Sequence, residues 1–303
     1  MWLTPDSELP KWVGELMNGA RQDHAASECR GAGSSEAPDT ESVSVVVRRT
    51  ADWMHVSAIV AGALNLSRAA FEQATRDLYL RVAAAVMASG QVPVRYWNFI
   101  PDINADIDAG LERYMAFNVG RFQAFTEWRR GDDGFDPSMA TATGVGVQAP
   151  DLGVHCLSSA AGGQPVANPR QLSPARYSSR YGPRPPCFAR GTRVRMHDSP
   201  MLLIGGTASI VGEVSMHAGN LGAQASEAID NLEALIGNAV PGSATPLDRL
   251  HDARVYVRES ASAEEVRDIL LERCPALERI EFVQAQICRR ELLVEIEGVA
   301  DLS

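Results

Sequence analysis

The pattern of hydrophobic periodicity runs twice through one cycle of elements, and few architectures can accommodate such a repeat. In the first half, VSVVVRR (43–49) and WMHVSAIVAG (53–62) read as β-branched strands. Helical spacing of apolar residues follows over 67–89, with Ser67 placed to cap its start and Gly90 to stop it. A strand over 92–100 and a second long helix over 103–130 come next, and strands over 142–148 and 152–159 close the half. The second half repeats this order: strands over 184–196 and 201–214, a helix over 217–240, a strand over 252–259 and a helix over 262–274. A strand pair over 278–288 and 291–300 ends it. Two β-β-α-β-α-β-β units predict an α/β fold of the α+β type: two similar domains, each a mixed sheet with helices packed on one face. The expected division is an N-terminal segment over 1–42, a domain over 43–165 and a second over 166–303. Within the first segment, residues 18–42 are polar, rich in Gly, Ser and Ala and without periodicity, and read as a mobile surface loop.

Charge and residue usage remove several function classes. With 28 basic against 38 acidic residues the net charge is −10, which argues against a nucleic-acid or anionic-membrane surface. Lys11 is the only lysine, so Schiff-base chemistry is disfavoured and no G-x-x-x-x-G-K-[ST] phosphate loop exists. Five scattered cysteines without C-x-x-C argue against a disulfide framework, and six dispersed histidines show no metal-ligand spacing. No signal-peptide pattern opens the chain and no stretch approaches 18 uncharged apolar residues, so a cytoplasmic protein with no membrane partner is expected.

Against the acidic average, residues 152–197 contain no Asp or Glu but seven arginines: Arg170, Arg176, Arg180, Arg184, Arg190, Arg193 and Arg195. Tyr177, Tyr181, Phe188 and several prolines are interleaved, giving an ordered but irregular connection. Two readings stand. The segment is a linker whose arginines pair with acidic neighbours, or its planar guanidinium forks form a site for a small polyanionic acid. In the closing strand LLVEIEG, Glu295 and Glu297 share a face. They are either solvent-facing polar positions, or one is a buried general acid with a raised pKa. Cys288 precedes the Arg289–Arg290 turn, a position that puts it on the strand beside Glu295, as a small buried hydrophobe or as part of a site. Tyr114 and Arg121, seven residues apart, share one helix face. The GGTAS stretch at 205–209 lacks the G-x-G-x-x-G spacing of a dinucleotide loop.

Taken in order, VRYWNFIPDIN, ERYMAFNVGRFQAF, ARYSSRYGPRPPCFARG, GGTASIVG and CRRELLVEIEG resemble the chorismatase family of bacterial secondary metabolism. That family comprises chorismate hydrolases and 3-hydroxybenzoate synthases. The resemblance runs over about residues 43–300 and implies two YjgF-like domains, the second of them catalytic. It implies substrate-binding roles for Tyr114, Arg121, Tyr177, Arg190 and Gly206, and catalytic roles for Glu295 and Cys288. It also implies a small-molecule substrate, chorismate; nothing in the sequence calls for a metal, nucleotide or flavin, so no cofactor and full activity in the presence of a chelator are expected. The assembly it implies is a trimer with shared sites, as in YjgF relatives, or a monomer using its own domain interface.

In such chemistry a carboxylic acid protonates the enolpyruvyl methylene, giving an oxocarbenium ion. Glu295 would then need an elevated pKa against the pull of nearby arginines, through desolvation or through neutralisation of those arginines by substrate. Gly206 and Cys288 resemble the residues of the 3-hydroxybenzoate branch, where the hydrolase branch tends to carry Ala at both positions. The preferred expectation is therefore cleavage to 3-hydroxybenzoate and pyruvate, with hydrolysis to 3,4-dihydroxycyclohexa-1,5-diene-1-carboxylate and pyruvate as the alternative. Glu213 stands where relatives often have a His after the Gly, a departure that either alters the product ratio or does nothing. Two further readings remain: a non-catalytic carboxylate binder and a YjgF-type imine deaminase. Against the second, the arginine expected ahead of the closing strand is replaced by Ile280, with Arg279 beside it.

Overall fold

The computed structural model describes residues 9–24, 43–128 and 139–303. A short helix α1 (Lys11–Leu16) and strand β1 (Arg21–His24) precede the first unit. That unit contains β2 (Val43–Arg49), β3 (Trp53–Val60), α2 (Arg68–Ser89) and β4 (Val92–Pro101). The small hairpin β5 (Asp106–Asp108) and β6 (Leu111–Glu112) follows, then α3 (Arg113–Trp128), β7 (Thr141–Val147) and β8 (Leu152–Ser159). The second unit contains β9 (Gln164–Val166), β10 (Gly191–Met196), β11 (Ser199–Ala208) and the hairpin β12 (Ile210–Val211) and β13 (Val214–Ser215). It ends with α4 (Leu221–Ala239), β14 (Leu250–Val257), α5 (Ala263–Arg273), β15 (Arg279–Gln284) and β16 (Val294–Asp301).

The two sheets run β1-β2-β3-β8-β4-β7 and β15-β14-β16-β11-β10-β9. Aligning β2, β3, β8, β4 and β7 with β10, β11, β16, β14 and β15 superimposes their pairing rules. Each unit has an antiparallel hairpin, a last strand inserted beside it, and one parallel pair, β4 with β7 and β14 with β15. The repeat seen in the sequence is thus a repeat of topology. The final segments 278–288 and 291–300 are not a pair, because β14 lies between β15 and β16; β4 separates β7 from β8 in the same way.

Apolar faces explain the layering. Helices α2 and α3 cover one face of the first sheet through Phe71, Leu78, Val82 and Phe117. Helices α4 and α5 cover one face of the second through Ile229, Leu232 and Leu270. The two remaining sheet faces meet: Trp97, Phe99 and Val145 pack with Leu203, Tyr256 and Val299, and α1 adds Trp12. The order is helix, sheet, sheet, helix.

Local boundaries differ from the expected ones for identifiable reasons. Ser67 caps α2 and Gly90 ends it, as its pattern predicts. The helix expected from 103 begins at Arg113 instead, since 103–112 fold into the β5–β6 hairpin, whose turn uses Gly110 at φ +71°. Its expected end at Arg129 and Arg130 lies outside the described residues. Helix α4 starts at Leu221 rather than 217, where the Asn220 side chain accepts from the Ala223 N–H at 3.0 Å. The strand expected over 201–214 breaks after Ala208 and becomes the β12–β13 hairpin. Of the polar stretch 18–42, residues 21–24 pair with β2 as β1, and 25–42 lie outside the described residues.

Candidate active site

A cleft of about 740 Å³, its open mouth included, lies between the two sheets. Helix α3 contributes Tyr114 and Arg121, the irregular connection before β10 contributes Tyr177, Tyr181, Phe188 and Arg190, and β11 contributes Gly206. Cys288 and Arg289, between β15 and β16, and Glu295 of β16 complete one wall. The seven residues singled out from the sequence, Tyr114, Arg121, Tyr177, Arg190, Gly206, Cys288 and Glu295, all line this cleft. It is built from both units of a single chain.

Alternation along β16 points Glu295 and Glu297 toward the central layer. They are only 4% and 2% exposed, which excludes solvent-facing roles for both. Their environments differ. Glu297 is fully paired: its Oε1 accepts from Trp97 Nε1 at 3.0 Å and its Oε2 from Arg95 Nη2 at 2.7 Å and from the Thr143 hydroxyl. Thr143 also accepts from the Gly206 N–H at 3.0 Å, which links this buried network to the cleft floor. Glu295 instead keeps a buried Oε1 with no hydrogen-bond partner among the described residues. Burial pushes its carboxyl up to about 8, helped by the charge of Glu297 and opposed by Arg95 and Arg190. Of the causes acting on this carboxyl, desolvation is the largest.

Cys288 sits in the same wall but not on a strand beside Glu295. The neighbours of β16 are β14 and β11, which place Tyr256 and Ala208 opposite Glu295. Burial pushes the Cys288 thiol up to about 12, with the charge of Glu295 adding to it, so it is a neutral thiol.

The arginines of the acid-free segment divide between both readings. Arg170 pairs with Glu227 and Asp230, and Arg195 with Asp198, as linker arginines do. Arg193 donates to the Ala239 carbonyl at the end of α4. Arg190 alone of the seven lines the cleft, where its Nη2 donates to the Tyr177 hydroxyl at 2.6 Å and to the Leu172 carbonyl at 3.2 Å. Arg121 lies over the rings of Phe117 and Phe188 at 5.6 and 5.8 Å, and its buried Nε and Nη2 have no hydrogen-bond partner among the described residues. Among the described residues neither Arg121 nor Arg190 forms an ion pair with a carboxylate. Two desolvated guanidinium groups without carboxylate partners in one cleft have the charge and geometry to hold a small dianion.

Three contributors escaped the sequence reading. Arg289, buried, stacks on Tyr181 at 3.8 Å and donates to the Glu213 carbonyl and Ser215 hydroxyl. Its position after Cys288 was its one local signal. Arg95 and Thr143 act beneath the cleft through partners about 150–200 positions away, and no spacing rule reaches that far. Arg279 is held by Asp252 and Glu15 and does not line the cleft. Among the described residues no three His, Cys, Asp or Glu side chains cluster as a metal site, and no helix is long and apolar enough to cross a membrane.

Residues 32–158 match the family model described as chorismatase FkbO/Hyg5-like, N-terminal. A 3-hydroxybenzoate synthase of Streptomyces hygroscopicus is 36% identical over 240 residues, covering 76% of this chain and 69% of the relative. A chorismatase of the same organism is 33% identical over 259 residues, covering 82% of this chain and 73% of the relative. The crystal structure of a chorismatase superimposes with a TM-score of 0.74 at 31% identity, over 84% of this chain and 77% of that one.

Proposed function

Because the chain belongs to the chorismatase family, we propose that it cleaves chorismate to 3-hydroxybenzoate and pyruvate, with Glu295 as the general acid. The observation that carries this reading is a buried, neutral carboxyl facing a cleft that holds two arginines without carboxylate partners. Chorismate brings two carboxylates, which Arg121 and Arg190 receive, while Tyr114 and Tyr177 line the ring between them. Glu295 donates its proton to the terminal methylene of the enolpyruvyl ether, and the oxygen lone pair stabilises the resulting oxocarbenium ion. The carboxylate left behind lies beside that cation and stabilises it in a site from which the walls displace water.

Capture of the cation by the substrate's own ring hydroxyl, followed by rearrangement, gives 3-hydroxybenzoate and pyruvate with no net consumption of water. Capture by water gives the dihydroxydiene acid and pyruvate, consuming one water. Gly206 and Cys288 favour the first course: the glycine leaves room for the carboxyl, and the neutral thiol occupies the wall beside it. No step needs a cofactor, since the proton, the charge stabilisation and the nucleophile come from the chain and the substrate. A cleft assembled from both units of one chain supports a monomeric active unit rather than a site shared in a trimer. A buried protonated acid has no use in a passive carboxylate binder, and the engagement of Arg279 with Asp252 and Glu15 removes the group a deaminase would need.

Incubation of the protein with chorismate, followed by chromatography and mass spectrometry, tests the reading. One 3-hydroxybenzoate per pyruvate is expected. Pyruvate with the dihydroxydiene acid would move the chain to the hydrolytic branch, and binding without pyruvate would make it a carboxylate binder.

A further inference from the structure

Glu213 lies on the turn between β12 and β13, outside the residues that line the cleft. Its carboxylate nevertheless accepts two hydrogen bonds from Ser178, one from the backbone N–H and one from the hydroxyl, both at 2.7 Å. Ser178 directly follows Tyr177, whose hydroxyl accepts from Arg190. From the other side, Arg289 donates to the Glu213 carbonyl at 2.8 Å and lays its guanidinium on Tyr181 at 3.8 Å and near Tyr177 at 5.5 Å. The same hairpin grips the start of the segment as well: the Gly212 N–H donates to the Arg170 carbonyl at 2.8 Å, and the Leu172 N–H donates to the Gly212 carbonyl at 2.9 Å. Three distant pieces of chain are therefore closed into a ring of contacts around the two tyrosines that wall the cleft.

We propose that Glu213 is a positioning residue that holds the Tyr177–Tyr181 wall shut and so determines how much water reaches the oxocarbenium ion. The inference rests on the chorismate-cleaving reading above and extends it to the partition between products. Both courses start from the same cation. The route to the dihydroxydiene acid consumes one water and the route to 3-hydroxybenzoate consumes none, so a wall that admits solvent shifts product toward the first. The hydrogen bonds from the Ser178 backbone and side chain hold the Glu213 carboxyl below its usual range, so it is ionised and a strong acceptor at neutral pH.

The test is the product ratio at saturating chorismate for the wild type and for Glu213→Ala, Glu213→Gln and Ser178→Ala. In Glu213→Ala the share of dihydroxydiene acid rises severalfold and KM rises severalfold, while total pyruvate release falls less; Ser178→Ala, which loses only the hydroxyl bond, moves the ratio and KM the same way by a smaller factor. The double alanine variant does no more than Glu213→Ala alone, because that change already removes both bonds, whereas Ser178→Ala keeps the backbone one. Glu213→Gln retains one acceptor and lies between. Ser178 is exposed, and its alanine variant keeps the assay meaningful if the Glu213 variants unfold. A wild type making 3-hydroxybenzoate, with variants whose product ratio and KM do not move, overturns the clamp and leaves the reaction standing. A wild type that makes only the dihydroxydiene acid overturns the clamp and the preferred product together. One that releases no pyruvate removes the reaction itself.

Discussion

The carboxyl of Glu295 occupies the space where a side chain on Gly206 would begin: a Cβ built there falls 2.1 Å from Glu295 Oε1 and 2.6 Å from its carboxyl carbon. The irregularity in the β11–β16 register between Ile204 and Thr207 brings Gly206 into this position. Because Glu295 is enclosed, its carboxyl cannot move aside without leaving the site. Gly206→Ala is therefore expected to lower kcat by roughly tenfold or more, equivalent to about 1.4 kcal/mol or more in the barrier. KM should change little, since both arginines stay in place. The surviving activity is expected to shift toward the dihydroxydiene acid, because a displaced carboxyl no longer holds the cation against the ring hydroxyl. Steady-state kinetics with product analysis decides it, and unchanged kcat would remove the steric argument.

The acid role of Glu295 fixes the sign of the pH dependence. The active form is protonated, so turnover is high below about 8 and falls as pH rises through that value. Glu295→Gln keeps the shape but has no proton to deliver, so pyruvate release is lost while calorimetry still detects chorismate binding. Stability follows the same proton. The folded pKa lies above the unfolded one, so the folded state holds an extra proton between the two values and stability declines with pH across that window. At pH 8 and above the decline amounts to about 4–5 kcal/mol. Glu295→Gln abolishes it, so the gap in melting temperature between variant and wild type should widen in favour of the variant from pH 5 to pH 8.

Much of this site was legible in the sequence because it rests on local rules. Tyr114 and Arg121 share a helix face because they are two turns apart, and Glu295 and Glu297 share a sheet face because strands alternate. The repeated order of elements gave away the duplicated topology. Pairing between strands distant in sequence was not legible: β14 enters between β15 and β16 although the latter two look like a hairpin, and periodicity carries no record of lateral order. The residues that tune Glu295 were hidden for the same reason. Arg95 lies in a strand the sequence predicts, but its burial depends on the second sheet, which covers it and supplies Glu297.

That pairing yields a prediction of its own. Arg95 and Glu297 are both buried, and Arg95 Nη1 already lacks a partner. Glu297→Gln leaves a guanidinium in the central layer without its counter-charge, a loss of about 3–5 kcal/mol measurable by denaturant unfolding. It also removes the negative charge that helps keep Glu295 neutral while leaving the positive charge of Arg95, so the alkaline limb of the rate profile should move to lower pH. Replacing both, Arg95→Met with Glu297→Gln, restores much of the stability because no charge is then stranded. If the double variant is no more stable than the single, the stranded charge is not the cause.

Arg121 tests whether the cleft reads a carboxylate by shape or by charge alone. Its guanidinium is held over Phe117 and Phe188, and its buried Nε and Nη2 point to no protein acceptor. These two nitrogens form the edge that grips a carboxylate through two parallel hydrogen bonds. Arg121→Lys retains the positive charge but replaces that edge with one compact ammonium, and it loses the flat surface that packs between the rings. A charged hydrogen bond is worth about 1.5–3 kcal/mol, so KM for chorismate should rise about 10–100-fold. Because Arg121 acts on a carboxylate rather than on the methylene that Glu295 protonates, kcat should fall much less than KM rises. An ester of that carboxylate should bind wild type and variant almost equally, since neither side chain then has an anion to hold. Were Arg121→Lys to match the wild type in KM, the dianion-binding role of this arginine would be wrong and its lack of a protein partner would need another occupant.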